Sequence, residues 1–317
     1  MSELRFHPFL DTWVITATHR QERTFFPPDD YCPLCPTKPG GFPTEIPYEA
    51  YDIVVFENKF PSLRAVPLPP EVAGSELMPV RPSSGVCEVV CYSQNHYGTF
   101  ATMPLTQIRK LMRVWQDRYI ELSKNPDVEY VFIFENKGKE VGVTLSHPHG
   151  QIYAYPFIPQ LLTTELASEQ RHFEKTGRYL MADVLAESAV NFVASNETFV
   201  AFIPFFARYP YELYVTTKRH IPSLAAMSPT ELDDLASILL DVTQRYDRLF
   251  GFSLPYLMGI HQEPAVPGYE FNWFHIEFYP PYRTATRLKY LASSEALANA
   301  FINDTLPEIT AKTLREI

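Results

Sequence analysis

The chain reads as an α+β protein of mainly antiparallel sheets flanked by helices, in which one unit of strand, strand, helix and hairpin is used twice. Three observations carry this reading. Apolar residues recur at helical spacing in two long stretches, residues 105–122 and 232–249, and each stretch is followed by a pair of short β-type runs. Glu212 and His220 stand as far apart as Glu88 and His96, in runs that precede the two helices, which is the mark of an internal repeat. The last run of each hairpin carries a histidine, His147 in the first half and His275 in the second. Two residues further on the halves part, with His149 in one and Glu277 in the other.

At 317 residues and 46% hydrophobic, the chain can bury one large core or two modest ones, and disorder is excluded as its main state. The formal net charge of −10 argues against sequence-independent binding to nucleic acid or to an anionic membrane, since both call for a basic surface. A small anionic substrate stays compatible, because a few local arginines outweigh the global field. No apolar run approaches the ~20 residues that span a bilayer, and the first ten residues lack the apolar core of a signal peptide, so a cytoplasmic location is expected. Four cysteines, Cys32, Cys35, Cys87 and Cys91, are too few for a disulfide scaffold. Cys87 and Cys91 share one β-type run about 13 Å apart, beyond bridging distance, and read as small core hydrophobes.

In chain order, a strand at Thr12–Ala17 leads to His19-Arg20-Gln21-Glu22-Arg23, whose two arginines are either solvated charges or an anion clamp. Tyr31-Cys32-Pro33-Leu34-Cys35-Pro36 is a Cys-x-x-Cys knuckle, the spacing with which two thiolates reach one Zn²⁺. A redox pair is the competing reading, weakened by the loop setting and by the lack of a helix after it. Strands follow at residues 52–56 and 86–92. Leu105, Ile108, Leu111, Met112, Trp115, Tyr119 and Leu122 then mark one apolar helix face, which reads as core packing. Residues 129–134 form a strand, Glu135-Asn136-Lys137-Gly138 a turn, and the histidine strand completes the hairpin. A long polar helix near residues 164–189 separates the halves. The second half has a strand at residues 211–220 and a helix capped by Ser228-Pro229-Thr230-Glu231, with Ser at the N-cap, Pro at N1 and Glu at N3. A hairpin from Tyr256–His261 and residues 272–279 closes it, and a tail with Arg287, Lys289 and one or two short helices ends the chain.

The chemistry concentrates in Ser146-His147-Pro148-His149-Gly150-Gln151. In an extended segment side chains alternate, so His147 and His149 face the same way about 7 Å apart, and one can hold something while the other attacks. Pro148 removes a ladder donor and places the pair at a strand entry, open to a ligand. Gly150 leaves backbone uncovered, and the Gln151 amide can donate to an anionic oxygen. A neutral imidazole is a competent nucleophile towards phosphorus.

With Phe134-Glu135-Asn136-Lys137-Gly138 before it, the cysteine knuckle and the duplicated unit, this motif makes the chain resemble the galactose-1-phosphate uridylyltransferases of the histidine-triad superfamily. The resemblance runs from the Arg20 loop to Lys289. It implies two histidine-triad-like halves, residues 1–157 with the nucleophile and the knuckle, and residues 158–317 with a second metal position and a sugar-phosphate tail. It implies His149 as nucleophile and Gln151 as hydrogen-bond partner of the nucleotidyl phosphate, with Asn136, Gly142 and Thr144 around the same phosphate. Arg20, Arg23, Asn58 and Phe60 match positions that hold uridine and its phosphates, whereas Lys59 replaces an acidic residue that contacts the ribose. Cys32, Cys35, His96 and His147 match the family's structural zinc set. Glu165, His261 and His275 match its second metal position, with Glu277 in place of a third histidine, which makes the site harder and leaves iron, zinc or no metal open. Lys289 and Tyr290 match the sugar-phosphate segment, while Ser294 and Phe301 replace a tyrosine and a glutamine.

The activity so implied is movement of UMP from UDP-glucose to galactose 1-phosphate through a uridylyl-histidine, in a homodimer whose sites borrow the neighbour's Lys289 tail. Within the superfamily the other reading is an adenylyl transferase or phosphorylase acting on ADP-sugars or dinucleoside polyphosphates. Outside enzymes, the reading is a zinc-stabilised nucleotide-binding module.

Overall fold

The structure, a computed structural model, describes residues 2–21, 28 and 31–317; Arg23, expected beside uridine, lies outside the described residues. The strands are β1 (Ser2–His7), β2 (Thr12–Ala17), β3 (Val54–Glu57), β4 (Val80–Pro82), β5 (Val86–Cys91), β6 (Tyr130–Lys137), β7 (His149–Tyr155), β8 (Phe192–Ser195), β9 (Phe199–Phe202), β10 (Leu213–Thr217), β11 (Tyr256–His261), β12 (His275–Tyr279), β13 (Tyr282–Thr284) and β14 (Arg287–Leu288). The helices are α1 (Leu105–Ser123), α2 (Gln160–Thr176), α3 (Leu180–Glu187), α4 (Pro229–Leu249), α5 (Ser293–Ala298) and α6 (Pro307–Arg315).

Nine strands make one sheet in the order β3-β5-β7-β6-β11-β12-β10-β9-β8, antiparallel throughout. The order mirrors itself about the β6–β11 pair, so that β3, β5, β7 and β6 correspond to β9, β10, β12 and β11. This is the duplicated α+β unit. Both long helices cover one face of the sheet, where Leu111 and Trp115 of α1 and Leu235 and Leu239 of α4 join Ile133, Ile152, Ile260 and Ile276 in a single core. Because side chains alternate along a strand, His149 and Gln151 of β7 point to the opposite face. At the start of α4, Ser228 and Glu231 exchange hydrogen bonds of 3.3 and 2.8 Å, with Pro229 in the first turn, as the cap signature requires.

Several elements differ from their expected form. The polar helix is two helices, because Gly177 takes a left-handed conformation (φ 69) and closes α2. The turn expected from Glu135 does not begin there: β6 continues through Lys137, held by pairing with β11 from the other half, and the chain turns at Gly138 (φ 98). His147 precedes β7 rather than sharing a strand with His149. Register also shifts the internal repeat by one residue. Glu88 pairs with Ile152 on β7, whereas Leu213 pairs with Phe278 on β12, so with His147 matched to His275 it is Val89 that corresponds to Glu212. A one-residue slip moves a side chain to the other face. Accordingly Glu88 meets Arg118 of α1 at 2.7 Å, while Glu212 lies on the side of Arg208 and Glu277.

Candidate functional site

The backbone fixes His149 from both sides. Tyr92 N donates to Pro148 O at 3.1 Å, and Val90 pairs with Gly150. Gly150 is required because the Tyr92 hydroxyl lies beneath it, where an added Cβ would overlap that oxygen. His149 Nδ1 lies 2.7 Å from the carbonyl oxygen of His147, so this nitrogen carries the proton and Nε2 keeps its lone pair. Burial lowers the His149 pKa, only partly offset by that bond, and the ring is neutral at neutral pH.

Two cavities share the wall that holds His149. One, about 420 Å³, is lined by Asn58, Phe60, Asn136, Gly142, Thr144 and Gln151. Asn58 Nδ2 donates to Gln151 Oε1 at 3.1 Å, which leaves the Gln151 NH₂ group to donate elsewhere. Arg20 braces this cavity rather than lining it, donating to Phe60 O at 3.2 Å and to the Tyr153 hydroxyl at 3.3 Å. Lys59 is paired with Glu45 at 2.7 Å. The other cavity, about 600 Å³, shares Asn136, Thr144 and His149 and extends to Lys139, Glu140, Ser253 and Tyr282.

Cys32, Cys35, His96 and His147 come together with ligand atoms all within 4.8 Å of one another. Cys35 Sγ is 3.5 Å from His96 Nδ1 and 3.6 Å from His147 Nδ1. His147 Nε2 is engaged by Ser93 O at 2.8 Å and the Tyr51 hydroxyl at 2.7 Å, which turns Nδ1 towards the thiols. Burial is the main reason that the His147 pKa falls to about 4, so the ring is neutral and free to ligate. Burial and Cys32 push the Cys35 thiol up to about 11, so a thiolate there calls for a cation. Two sulfurs and two imidazole nitrogens are a donor set suited to tetrahedral Zn²⁺.

Glu165, His261 and His275 form a second such group. His261 Nδ1 is 2.7 Å from Glu165 Oε2, and Glu277 lies 3.5 Å from the Nε2 atoms of both His261 and His275. Glu277 is also bonded by Tyr279 and by Arg208, at 3.3 Å for the latter, so an internal cation already meets the residue that replaces a histidine. Burial opposes charge on both partners, yet the carboxylates raise His261 and the histidines with Arg208 lower Glu277. Glu277 Oε1 has no hydrogen-bond partner though buried, which fits a cation between these groups.

The sugar-phosphate positions are not brought to His149 within one chain. Lys289 lines neither cavity; its Nζ is buried against Glu295 at 2.8 Å and Ile302 O at 2.5 Å. Tyr290 is exposed, Ser294 bonds Ala300 O at 2.9 Å, and Phe301 packs on Tyr209 and Arg208. Sequence reasoning missed Tyr51 and Ser93 behind His147, and Arg208 on Glu277; no local pattern marks a residue whose partner lies tens of positions away.

A duplicated antiparallel α+β sheet with a neutral, strand-mounted histidine between two polar cavities defines a class of protein suited to covalent transfer at phosphorus. The chain belongs to the galactose-1-phosphate uridylyltransferase family: residues 1–159 match the N-terminal domain of galactose-1-phosphate uridyl transferase and residues 165–317 its C-terminal domain. It is 43% identical to the galactose-1-phosphate uridylyltransferase of Thermotoga maritima, covering all of this chain and 98% of that one. Identity to the Streptomyces lividans enzyme of the same name is 37%, over all of this chain and 87% of the relative. A solved uridylyltransferase structure superposes with a TM-score of 0.89 at 30% identity, over 99% of this chain and 97% of that one. An ADP-glucose phosphorylase from Arabidopsis thaliana, at 22% identity and a TM-score of 0.76 over 100% of this chain and 99% of that one, shares the fold.

Proposed function

We propose that the chain transfers UMP from UDP-glucose to galactose 1-phosphate by double displacement on His149. The observation that carries this is the Nε2 lone pair of His149 in a wall common to two cavities, with Nδ1 held on His147 O. Nε2 bonds to the α-phosphorus as the bond to glucose 1-phosphate breaks, and the leaving monoester takes the electron pair; being a weak base, it needs no strong general acid. An oxygen of galactose 1-phosphate then bonds to the same phosphorus, and the pair of the P–N bond returns to Nε2. The Gln151 amide, the Thr144 hydroxyl and backbone near Gly142 meet the phosphoryl oxygens, while His147 O stabilises the charge that the substituted ring gains.

Residues 1–157 thus carry the chemistry and residues 158–317 the support. Zn²⁺ on Cys32, Cys35, His96 and His147 contributes rigidity: it fixes the residue whose carbonyl orients His149. Glu165, His261, His275 and Glu277 hold a second, structural metal, iron or zinc. The exposed apolar side chains of Tyr290, Leu291, Leu297 and Ile302 fit a homodimer interface. Among the described residues no helix is long and apolar enough to cross a membrane, and we place the enzyme in the cytoplasm.

Intact-mass analysis after brief mixing with UDP-glucose tests the reading. Wild type gains the mass of UMP and exchanges labelled glucose 1-phosphate into UDP-glucose, and His149→Gly does neither. A His149→Gly protein that takes up UMP removes the assignment, and an adduct from ADP-glucose in place of UDP-glucose reassigns the nucleotide.

A further inference from the structure

We propose that Glu45 determines specificity for ribose: its carboxylate accepts hydrogen bonds from the two vicinal hydroxyls of the nucleoside, a binding role that rests on the transfer reaction above. A nucleoside phosphate in the 420 Å³ cavity has its α-phosphate at His149 and Gln151, and its base suits the apolar walls of Leu34, Phe56, Val89 and Leu145. The ribose lies between the two and presents hydroxyl donors that need an acceptor. Among the described residues, Glu45 is the acidic side chain that lines this cavity. Lys59 Nζ donates to its Oε1 at 2.7 Å, and its Oε2 has no partner among the described residues. A carboxylate only accepts, with lone pairs on both oxygens, and the same chemistry lets an acidic side chain read ribose hydroxyls in dinucleotide-binding folds.

Backbone contacts fix both members of this pair. Glu45 N donates to Pro33 O at 3.0 Å, inside the cysteine knuckle. On one side of Glu45 the Thr44 hydroxyl donates to Cys35 O at 2.7 Å. On the other side Ile46 is buried, and its carbonyl oxygen accepts from Thr37 N at 3.1 Å. Glu45 is therefore carried on a loop tied along its length to the knuckle. Lys59 stands in a turn that follows β3, where Asn58 Oδ1 accepts from Phe60 N at 2.9 Å while Asn58 Nδ2 donates to Gln151 Oε1 at 3.1 Å. The pair with Glu45 thus begins one residue beyond the side chain that touches Gln151. That order matches the ligand, in which the ribose follows directly on the α-phosphate. Lys59 occupies one carboxylate oxygen and leaves the other for the ribose, so it is a positioning residue and Glu45 is the contact.

The test compares ribose with deoxyribose at each member of the pair. Wild type takes the uridylyl group from UDP-glucose with a kcat/KM roughly 10- to 100-fold above that for 2′-deoxy-UDP-glucose, the worth of a charge-assisted hydrogen bond to the missing hydroxyl. Glu45→Ala brings this ratio to within about threefold, by loss on UDP-glucose with the deoxy substrate nearly unchanged, a split that general destabilisation does not produce. Glu45→Gln, which keeps an acceptor oxygen, falls between the two, and Lys59→Ala keeps a higher ratio than Glu45→Ala because the carboxylate remains. A wild type without preference for ribose, or a Glu45→Ala protein that keeps the wild-type ratio, overturns the assignment. A ratio lost in Lys59→Ala but kept in Glu45→Ala overturns it in favour of the lysine. Equilibrium binding of UMP and 2′-deoxy-UMP repeats the comparison without chemistry. A wild type that never acquires UMP on His149 overturns the proposed function itself, and the ribose assignment then stands or falls on that binding ratio.

Discussion

β7 and β12 occupy equivalent places in the two halves, and their contrast separates what the fold supplies from what single residues supply. His149, Gly150 and Gln151 in β7 correspond to Glu277, Phe278 and Tyr279 in β12. On the helix side the volumes are exchanged: Tyr92 reaches under Gly150 in one half, whereas Val215 and Phe278 fill the matching space in the other. On the open side the first half keeps two cavities beside its histidine. The second half closes that space with Arg208 over the Tyr279 ring at 4.9 Å and the Phe301 ring at 5.5 Å. The same strands therefore leave open space beside His149 in one half and carry a packed charge cluster around Glu277 in the other.

The largest expected difference between the halves is catalytic. His149→Gly should lower transfer by at least about 10⁴-fold, as loss of a covalent nucleophile does, whereas Glu277→Gln should leave uridylylation of His149 within about tenfold of wild type. Half-reaction kinetics with intact-mass detection decide it, and equal losses would show that the halves do not divide the work in this way. Next comes stability. Cys32→Ser with Cys35→Ser should remove one zinc and several kcal/mol, more than Glu165→Ala costs in the second half, where Arg208 remains as a cation beside Glu277. Metal analysis paired with denaturant unfolding measures both.

What the sequence made legible was whatever is written in local pattern. The helix faces, the Ser228 cap and the Cys32–Cys35 knuckle follow from spacing or motif, the grouping of His96 and His147 with that knuckle follows from the family resemblance, and all are present. The repeat was visible from Glu88 and Glu212, but a one-residue register slip has no local signature, and only pairing with β7 and β12 reveals it. Two further features depend on distant partners: β6 runs past its turn residues because β11 covers it, and Arg208 finds Glu277 across 69 positions. The sheet β2-β1-β4 was half-visible: β4 has only three residues, and β1, though as long as β2, is made largely of polar residues, with Ser2 and Glu3 buried, and carries little β-type pattern.

A smaller contrast lies across the seam, where Glu135 pairs with Met258. Burial pushes the Glu135 carboxyl up to about 7 from 4.5, against the pull of Lys137, Tyr256 and Tyr92. A carboxyl raised in the folded state leaves stability unaffected below the unfolded pKa and costs stability as pH rises from there through the folded value. Wild type should therefore lose about 3 kcal/mol relative to Glu135→Gln between pH 4.5 and 7.5, whereas a change at Met258 should show no such pH dependence. Urea midpoints at the two pH values check it, and a constant difference would place Glu135 in a wetter setting than its burial implies.

The smallest effect probes the exchanged volumes themselves. Gly150→Ala puts a methyl group where the Tyr92 hydroxyl lies, and β7 is held between β5 and β6, so the backbone cannot simply retreat. Overpacking of this kind costs about 1–3 kcal/mol. Tyr92→Phe removes the obstructing oxygen, whose interaction with the Glu135 carboxyl falls outside normal hydrogen-bond geometry, so the single substitution should cost less than Gly150→Ala. The double variant should then recover at least half of the loss, giving a coupling of about 1 kcal/mol in a double-mutant cycle. A uridylylation rate that falls in Gly150→Ala and returns in the double variant would tie this fit to the aim of His149. If the two substitutions are instead additive in stability, Gly150 answers to the strand ladder and Phe134 O, which the same Cβ would approach at 3.0 Å, and the exchange of volumes between the halves is not what sets the glycine.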